Sequence, residues 1–232
     1  PVLRGGLRMK RVLTVVILFV LIPVVVIGGA LLFGNRLYAW LSLCVAILAC
    51  VPFFLRFEWG TADARRMILI AIMTALSVLG RILFAPLPSF KPVTAMVVIT
   101  AMYFGGEAGF LTGALSAVLS NFYFGQGPWT PFQMFSWGIV GFLAGLLREP
   151  LKRSRGVLAC YGVFSGVLFS FLMDIWTVLW ADGYFNFPRY FAALVSAAPV
   201  TAVYAVSNVL FLELFAAPIG KILQRIKTKF AL

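Results

Sequence analysis

The run VLTVVILFVLIPVVVIGGALLF, residues 12–33, contains no charged residue and is long enough to cross a bilayer as a helix, which takes roughly 20 mostly apolar residues. The whole chain shares this character, since 62% of its 232 residues are hydrophobic and 11% are charged, against about 45–50% and about 25% in soluble domains. A soluble fold of this size cannot bury so much apolar surface. The apolar runs are continuous rather than alternating, which argues against a β-barrel. The sequence predicts an all-α polytopic membrane protein.

Eight hydrophobic segments can be distinguished along the chain. They lie at about 12–33, 38–55, 67–85, 93–104, 109–124, 132–147, 157–180 and 189–217. The segment at 93–104 is too short for a straight span, so we expect it to be tilted, broken or extended by its neighbours.

A polar and basic stretch at about 56–66 divides the chain. We expect a basic cytoplasmic tail at residues 1–11, a transmembrane hairpin with its linker at 12–63, and a six-helix body with a basic tail at 64–232. Met9 is a plausible natural start, which would make residues 1–8 an upstream remnant. The first segment is too long for the apolar core of a signal peptide and lacks a clear cleavage site, so we interpret it as a retained helix.

The basic residues predict the orientation. With both termini in the cytoplasm and an even number of spans, all but four of the 19 basic residues lie on the inner side, as the positive-inside rule requires. The four exceptions are Arg36, Arg81, Lys91 and Arg189. The net charge of +12 is therefore interpreted as membrane orientation rather than as nucleic-acid binding.

The sequence lacks the residues and motifs that several kinds of catalysis require. Histidine is absent and only seven carboxylates exist, and the sequence has no GxxxxGK[ST] loop, HExxH motif or GxSxG elbow. The three cysteines lie in apolar runs without CxxC spacing, as buried small hydrophobes do. We therefore expect no catalytic residues, no metal site and no catalytic cofactor. Uphill transport would need an ion gradient or a partner.

Recognition chemistry is concentrated in three outward loops, at about 85–92, 121–138 and 182–190. Their Trp and Tyr rings offer broad apolar faces with a polar edge, and their Asn and Gln side chains both donate and accept hydrogen bonds. This combination suits a large, flat, amide-bearing ligand, although the rings alone would also fit an interfacial aromatic belt. The candidate substrate-binding residues are Arg81, Lys91, Asn121, Tyr123, Gln126, Trp129, Gln133, Trp137, Asp174, Tyr184, Asn186 and Asn208.

Arg81 and Asp174 are charged residues in the outer portions of predicted spans, where an unpaired charge costs several kcal/mol by most scales. We therefore expect them to pair with each other or to line one polar cavity. Glu213 lies near the inner end of the last segment, where it can reach the interface.

Small residues recur at a spacing of four, which places them on one helix face and lets a second helix approach closely. The pairs are Ala71/Ala75, Gly109/Gly113, Gly141/Gly145 and Gly162/Gly166. Taken alone, each pair predicts internal packing.

Residues 66–218 resemble the S component of an energy-coupling factor (ECF) transporter, a family of prokaryotic vitamin importers. The likeness rests on six helices with both ends inside, the pair Ala71/Ala75, the Gly-rich inner turn Tyr103-Phe-Gly-Gly-Glu-Ala-Gly109, and the run from Phe124 to Trp137. That last run is most similar to the cobalamin-specific branch. The extra hairpin departs from the minimal six-helix pattern.

The resemblance implies an ECF-type ABC importer subunit of the prokaryotic cell membrane that binds substrate and hydrolyses no ATP itself. A transmembrane coupling subunit (T component) and two cytoplasmic ATPases would supply the work. The implied mechanism is capture outside, toppling in the membrane and release inside. Ala71 and Ala75 would form part of the docking face for the coupling subunit.

The resemblance implies cobalamin as substrate, with Arg81 or Lys91 available for its phosphodiester. Riboflavin or another vitamin or nucleobase precursor is the alternative, because such ligands also favour aromatic walls. An ion-coupled secondary transporter, with Arg81 and Asp174 as the hint of an ion site, and a membrane scaffold without a substrate are the competing classes.

Overall fold

The helices follow the predicted hydrophobic segments. The structure is a computed structural model, and it describes residues 12–33, 38–57 and 64–230. Helix α1 covers residues 12–33 with a π-helical stretch at Ile17–Leu21. The remaining helices are α2 (Tyr38–Phe57), α3 (Ala64–Leu83), α4 (Val93–Phe104), α5 (Gly106–Phe124), α6 (Thr130–Leu146), α7 (Arg148–Arg153), α8 (Arg155–Asp182) and α9 (Phe187–Phe230). No strand occurs in these three described ranges, and the predicted all-α polytopic membrane protein is confirmed.

Two details differ from the predicted segments. The six-residue helix α7 was not anticipated, because it is too short and too polar to appear as an apolar run. The helix that contains the last segment, predicted at about 189–217, is longer than that segment, since α9 has 44 residues and ends at Phe230, with Pro199 and Pro218 inside it. The hydropathy falls after residue 217 while the helix itself goes on as a basic extension.

The distribution of polar and apolar side chains is that of a membrane protein. Within the described ranges, four helices are long and apolar enough to cross a bilayer, at Val12–Leu32, Arg65–Leu83, Arg155–Asp182 and Phe187–Lys229. Their outer faces carry exposed aliphatic side chains, such as Ile68 on α3 and Val195 on α9, while Ser77, Thr100 and Asn121 are buried. Apolar side chains therefore face the lipid, and polar ones lie between the helices.

Helix α4 explains how a segment too short for a span is accommodated. It has 12 residues and therefore a length of about 18 Å. All of its residues except Tyr103 are buried, because α3, α5, α6 and α9 all contact it. The helix needs neither tilt nor extension, since other helices rather than lipid surround it.

Glycines bring α5 and α6 into backbone contact. A Cβ on Gly113 would lie 2.5 Å from the carbonyl carbon and oxygen of Trp137, and a Cβ on Gly141 would lie 2.7 Å from Val97 and closer still to the backbone of Gly109. Gly145 lies in the same way against the backbone of Gly106. The predicted internal packing of Gly109/Gly113 and Gly141/Gly145 is confirmed, because the two pairs face each other.

The other two pairs of small residues differ in whether they contact another helix. Gly162 and Gly166 pack on α9, where added Cβ atoms would lie 3.0 Å from Val209 and 2.8 Å from the Ala205 backbone nitrogen. Ala71 and Ala75 are both exposed on α3. Internal packing is therefore confirmed for this glycine pair and is wrong for the alanine pair.

The N-terminal hairpin packs on the α5–α6 face of the body. Helix α2 contacts both α5 and α6, and the ring of Phe19 on α1 meets the ring of Phe142 on α6 edge-on at 5.5 Å between centroids. The predicted tail at 1–11, the loop at 34–37, which holds Arg36, and the linker at 58–63 lie outside the described residues.

The two ends of the six-helix body differ in the side chains that they carry. The basic end is where α3 begins and α9 ends, and there Arg66 and Lys227 donate to the carbonyl oxygens of Phe104 and Tyr103. The aromatic end is where α3 ends and α9 begins.

Candidate functional site

Arg81, in the last turn of α3, is the centre of a polar and aromatic cluster at the aromatic end. Its guanidinium donates to the hydroxyl of Ser120 and, at 2.8 Å, to Oδ1 of Asn121 on α5. It also lies 4.7 Å from the ring centroid of Phe124 and 5.0 Å from that of Trp137, within the range of a cation–π interaction. Neutral acceptors and aromatic faces therefore hold this charge in place.

Asn121 connects Arg81 to the beginning of α6. The amide is buried, and its Nδ2 donates to Thr130 Oγ1 and Gln133 Oε1, each at 2.9 Å. The Thr130 hydroxyl donates in turn to Gln126 Oε1 at 3.1 Å. These hydrogen bonds form a connected network. The network holds the Asn121 side chain so that its carbonyl oxygen points toward Arg81.

Three aromatic rings from three helices extend the cluster inward. The indole of Trp137 on α6 stacks on Phe169 of α8, with 5.0 Å between centroids and 21° between planes. Phe169 contacts Tyr204 of α9 at 5.3 Å. Among the described residues, the buried Trp137 Nε1 has no hydrogen-bond partner, which is costly for a buried donor. The indole ring is covered by Phe169 and Arg81, and its Nε1 is an unused donor.

Lys91 closes the loop that follows α3. Its Nζ donates to the carbonyl oxygens of Phe84 at 2.8 Å and Leu87 at 3.1 Å, and its backbone nitrogen donates to Ser207 Oγ at 2.9 Å. Nζ also lies 5.6 Å from the Phe124 ring centroid. Burial, and secondly the positive charge of Arg81, lower the pKa of Lys91 from its ordinary value of 10.5. Lys91 thus contacts both the loop that follows α3 and the Phe124 ring of the cluster around Arg81.

Trp129 lies in a second aromatic group, next to the hairpin. Its ring meets Trp176 of α8 at 5.9 Å, and Trp176 contacts Trp180 at the same centroid distance of 5.9 Å. The two α8 tryptophans line a cleft of about 230 Å³, together with Val26 and Ala30 of α1. This group places the hairpin beside the aromatic end.

Other candidates are spread over the surface and the interior. Tyr123 and Tyr184 are 65% and 61% exposed, and Asn186 Oδ1 accepts from the Arg189 backbone nitrogen at 3.3 Å. Asn208 is buried between α8 and α9 and donates to Ser165 Oγ at 3.2 Å. The structure therefore brings together Arg81, Lys91, Asn121, Gln126, Gln133 and Trp137. Tyr123 and Trp129 border this group, through the Phe124 ring at 5.0 Å and the Gln133 backbone nitrogen at 2.9 Å.

The predicted pairing of Arg81 with Asp174 is wrong. Arg81 binds Ser120 and Asn121, and Asp174 Oδ2 is buried without a hydrogen-bond partner in the part of the chain that the structure describes. Neutral acceptors on the adjacent α5 satisfy the guanidinium, so it needs no carboxylate from α8. Glu213 lies 4.0 Å from the exposed Arg155, as expected of a residue that reaches the interface.

Sequence reasoning missed Ser120, Thr130, Phe169 and Tyr204. Phe169 and Tyr204 lie deep inside long apolar segments, where aromatic residues are ordinary, and no local signal marks them. Ser120 directly precedes the predicted loop at 121–138 and Thr130 lies within it, so their nearness to Asn121 was available from the sequence.

The cluster offers groups that can bind a ligand. They are the guanidinium of Arg81 with Lys91 nearby, amide groups, an unused indole donor and stacked aromatic rings. In the described part of the chain no three His, Cys, Asp or Glu residues come together as metal ligands. Such a site suits a flat, polar-edged ligand held by stacking and hydrogen bonds.

The fold is that of a polytopic membrane protein. The polar and aromatic side chains around Arg81, at its aromatic end, form a cluster of the kind that binds ligands. The family model described as "ECF-type riboflavin transporter, S component" matches residues 62–225. The chain therefore belongs to this family. Its S components are substrate-binding transporter subunits rather than enzymes, and they generally work with a T component and ATPases. Searches of curated proteins and of solved structures each found no significant match.

Proposed function

We propose that this chain captures a flat vitamin at its aromatic end and that riboflavin is the first candidate. The observation that carries the proposal is the position of the Arg81 guanidinium, 5.0 Å from the Trp137 ring centroid, with an unpartnered indole Nε1 beside it. A tricyclic ring has faces for the stacked aromatics and carbonyl oxygens for Arg81 and the indole donor. The name of the matched family supports the same ligand.

Cobalamin is the second candidate. The support for it is the run from Phe124 to Trp137, which contributes Gln126, Gln133 and Trp137 to the cluster, as the amide fringe of this vitamin would require. Binding of so large a ligand requires the loop at 84–92 and the loop at 125–129 to separate. Riboflavin needs a smaller opening, because it carries a single flat ring system.

Delivery requires partners. We propose that a T component docks on the face of α3 that carries Ala71 and Ala75, since both are exposed and small residues allow close helix contact. Two ATPases would bind that T component. The basic end would then face the cytoplasm of a prokaryotic cell with both termini inside, as the distribution of basic residues favours.

The test is calorimetric titration of the purified full-length chain with riboflavin and, separately, with cobalamin. Saturable heat with riboflavin and none with cobalamin is the expected result, without ATP or partners. The reverse result would assign the cobalamin branch. Absence of saturable heat with both ligands, on a chain whose thermal unfolding is cooperative, would refute both assignments.

A further inference from the structure

A second polar region lies at the basic end, far from the cluster around Arg81. It is a groove of about 810 Å³ along the last turns of α9, lined by residues that include Tyr103, Ala217, Gly220, Lys221, Arg225 and Thr228. Gly220 allows the Tyr103 phenol to lie against α9, because a Cβ there would be 3.0 Å from the phenol Cζ and closer to its oxygen. Tyr103 therefore forms the floor of the groove.

The groove is positively charged and carries no carboxylate among its lining residues. Lys221 and Arg225 are exposed and form no ion pair within residues 12–33, 38–57 and 64–230, whereas Arg155 and Arg189 have carboxylate partners. A spacing of four places Lys221 and Arg225 on one helix face. Two neighbouring cations of this kind suit a phosphate group, which accepts charge-assisted hydrogen bonds from both.

Two further lysines add positive charge near Tyr103, which forms the floor of the groove. Lys152 Nζ lies 4.7 Å from the ring centroid of Tyr103, and Lys227 Nζ donates to the Tyr103 carbonyl oxygen at 2.9 Å. Lys227 thereby neutralises the negative end of α4, as cations do at a helix C-terminus. An anion in the groove would therefore meet positive charge from α7 as well as from α9.

The face of α9 that carries Lys221 and Arg225 continues into an apolar surface. At 3.6 residues per turn, Leu210, Leu214, Lys221 and Arg225 fall within a sector about 60° wide. Leu210 and Leu214 are 45% and 63% exposed. Along this face of α9, exposed leucines are therefore followed by basic residues. This order matches an acyl chain followed by an anionic headgroup at the edge of a bilayer.

We propose that this groove binds the phosphate of an anionic phospholipid, with Lys221 and Arg225 on the headgroup and the acyl chain along Leu210 and Leu214. The apolar continuation of the site favours a lipid over a free phosphate compound, which would use the basic part alone. Lys221 and Arg225 lie at the basic end and the cluster around Arg81 lies at the aromatic end, so lipid binding would be a function separate from vitamin capture.

The test is a thermal-unfolding titration of the delipidated, detergent-solubilised full chain with phosphatidylglycerol and, in parallel, with phosphatidylcholine. Ligand that binds the folded state raises the unfolding midpoint as its concentration rises. We expect a saturable increase with phosphatidylglycerol that is at least threefold larger than with phosphatidylcholine. Native mass spectrometry should show the same preference in retained lipid.

A charge-removing variant, Lys221→Gln with Arg225→Gln, should lose at least two thirds of the phosphatidylglycerol shift. Both side chains are exposed, so the variant should fold. The matched control, Arg153→Gln with Arg155→Gln, removes two exposed charges at the same end and should keep the shift. Equal shifts with the two lipids, or equal losses in the two variants, would overturn the site.

A third arm with glycerol 3-phosphate distinguishes the two sources of phosphate. No shift at the concentrations used for phosphatidylglycerol is expected, because this probe lacks the acyl chains. A shift as large as the lipid's would overturn the assignment to phospholipid and identify a free phosphate compound as the ligand.

Discussion

Arg81 and Asn121 are 40 residues apart in the chain, and the guanidinium of Arg81 donates to Asn121 Oδ1 at 2.8 Å. This bond joins the end of α3 to the end of α5 at the point where α6 begins. Because Asn121 also donates to Thr130 and Gln133, the orientation of Arg81 depends on the first turn of α6.

Replacing Asn121 tests its role in orienting Arg81. In Asn121→Ala the guanidinium loses an acceptor and Thr130 and Gln133 lose a donor, at a cost of about 1–3 kcal/mol in unfolding free energy. We expect the riboflavin dissociation constant, measured by calorimetry, to rise about tenfold. Asn208→Ala is the matched control, since this buried amide bonds Ser165 away from the cluster. It should lower stability without changing affinity, and an equal rise in both variants would contradict a positioning role.

Trp137→Phe separates the unused donor of the indole from its stacked face. Phenylalanine keeps an aromatic ring against Phe169 but has no N–H, so the ligand loses one hydrogen bond worth about 1 kcal/mol. The expected weakening of riboflavin binding is about fivefold, measured by quenching of flavin fluorescence. Trp40→Phe on the exposed face of α2, where the side chain is 66% exposed, should leave the affinity unchanged. Unchanged affinity in Trp137→Phe would remove the indole donor from the site.

Lys91→Met tests the closure of the loop at 84–92. The variant loses the donations to the carbonyl oxygens of Phe84 and Leu87, while the Phe90–Phe211 ring contact at 5.1 Å remains. We expect riboflavin to dissociate about fivefold faster in stopped-flow experiments, from a net loss of about 1 kcal/mol. Lys152→Met, at the opposite end, serves as the control. An unaltered dissociation rate in Lys91→Met would show that this lysine does not retain the ligand.

Gly141→Ala should destabilise the body by about 1–3 kcal/mol, as overpacking does. The added Cβ would meet the backbone of Gly109, which cannot move without separating α5 from α6. Gly156→Ala makes the same change in α8, where the nearest atom is the Ser154 hydroxyl at 3.8 Å. Thermal unfolding of both variants is the measurement. Equal midpoints would mean that the α5–α6 contact is not as close as the structure shows.

Bulky side chains on the exposed face of α3 test the docking proposal. Ala71→Leu with Ala75→Leu should retain riboflavin affinity and abolish uptake in cells that contain the partner subunits, because leucines prevent close helix approach. Ala198→Leu with Ala202→Leu is the matched pair on α9, with the same spacing and exposure, and should support uptake. Loss of uptake from the α9 pair alone would place the docking face on α9.

The apolar helices could be predicted from the sequence, because a bilayer requires continuous apolar runs and their lengths are local properties. The central position of α4 could not, since burial of a short segment depends on which helices surround it. The small-residue pairs show the same limit. Gly109/Gly113 and Ala71/Ala75 have one pattern, yet one pair contacts a backbone and the other is exposed.

The sequence by itself determined the membrane class, the eight apolar helices and the three stretches in which polar and aromatic residues are concentrated. The stretch predicted as a loop at 121–138 is mostly helical, since α5 ends at Phe124 and α6 begins at Thr130. Only the tertiary structure decided that Arg81 binds Ser120 and Asn121 rather than Asp174, and that Phe169 and Tyr204 complete an aromatic stack with Trp137. The physical reason is that hydropathy and charge act along the chain and are visible in it. The partner of a buried guanidinium depends instead on which helix ends meet in space.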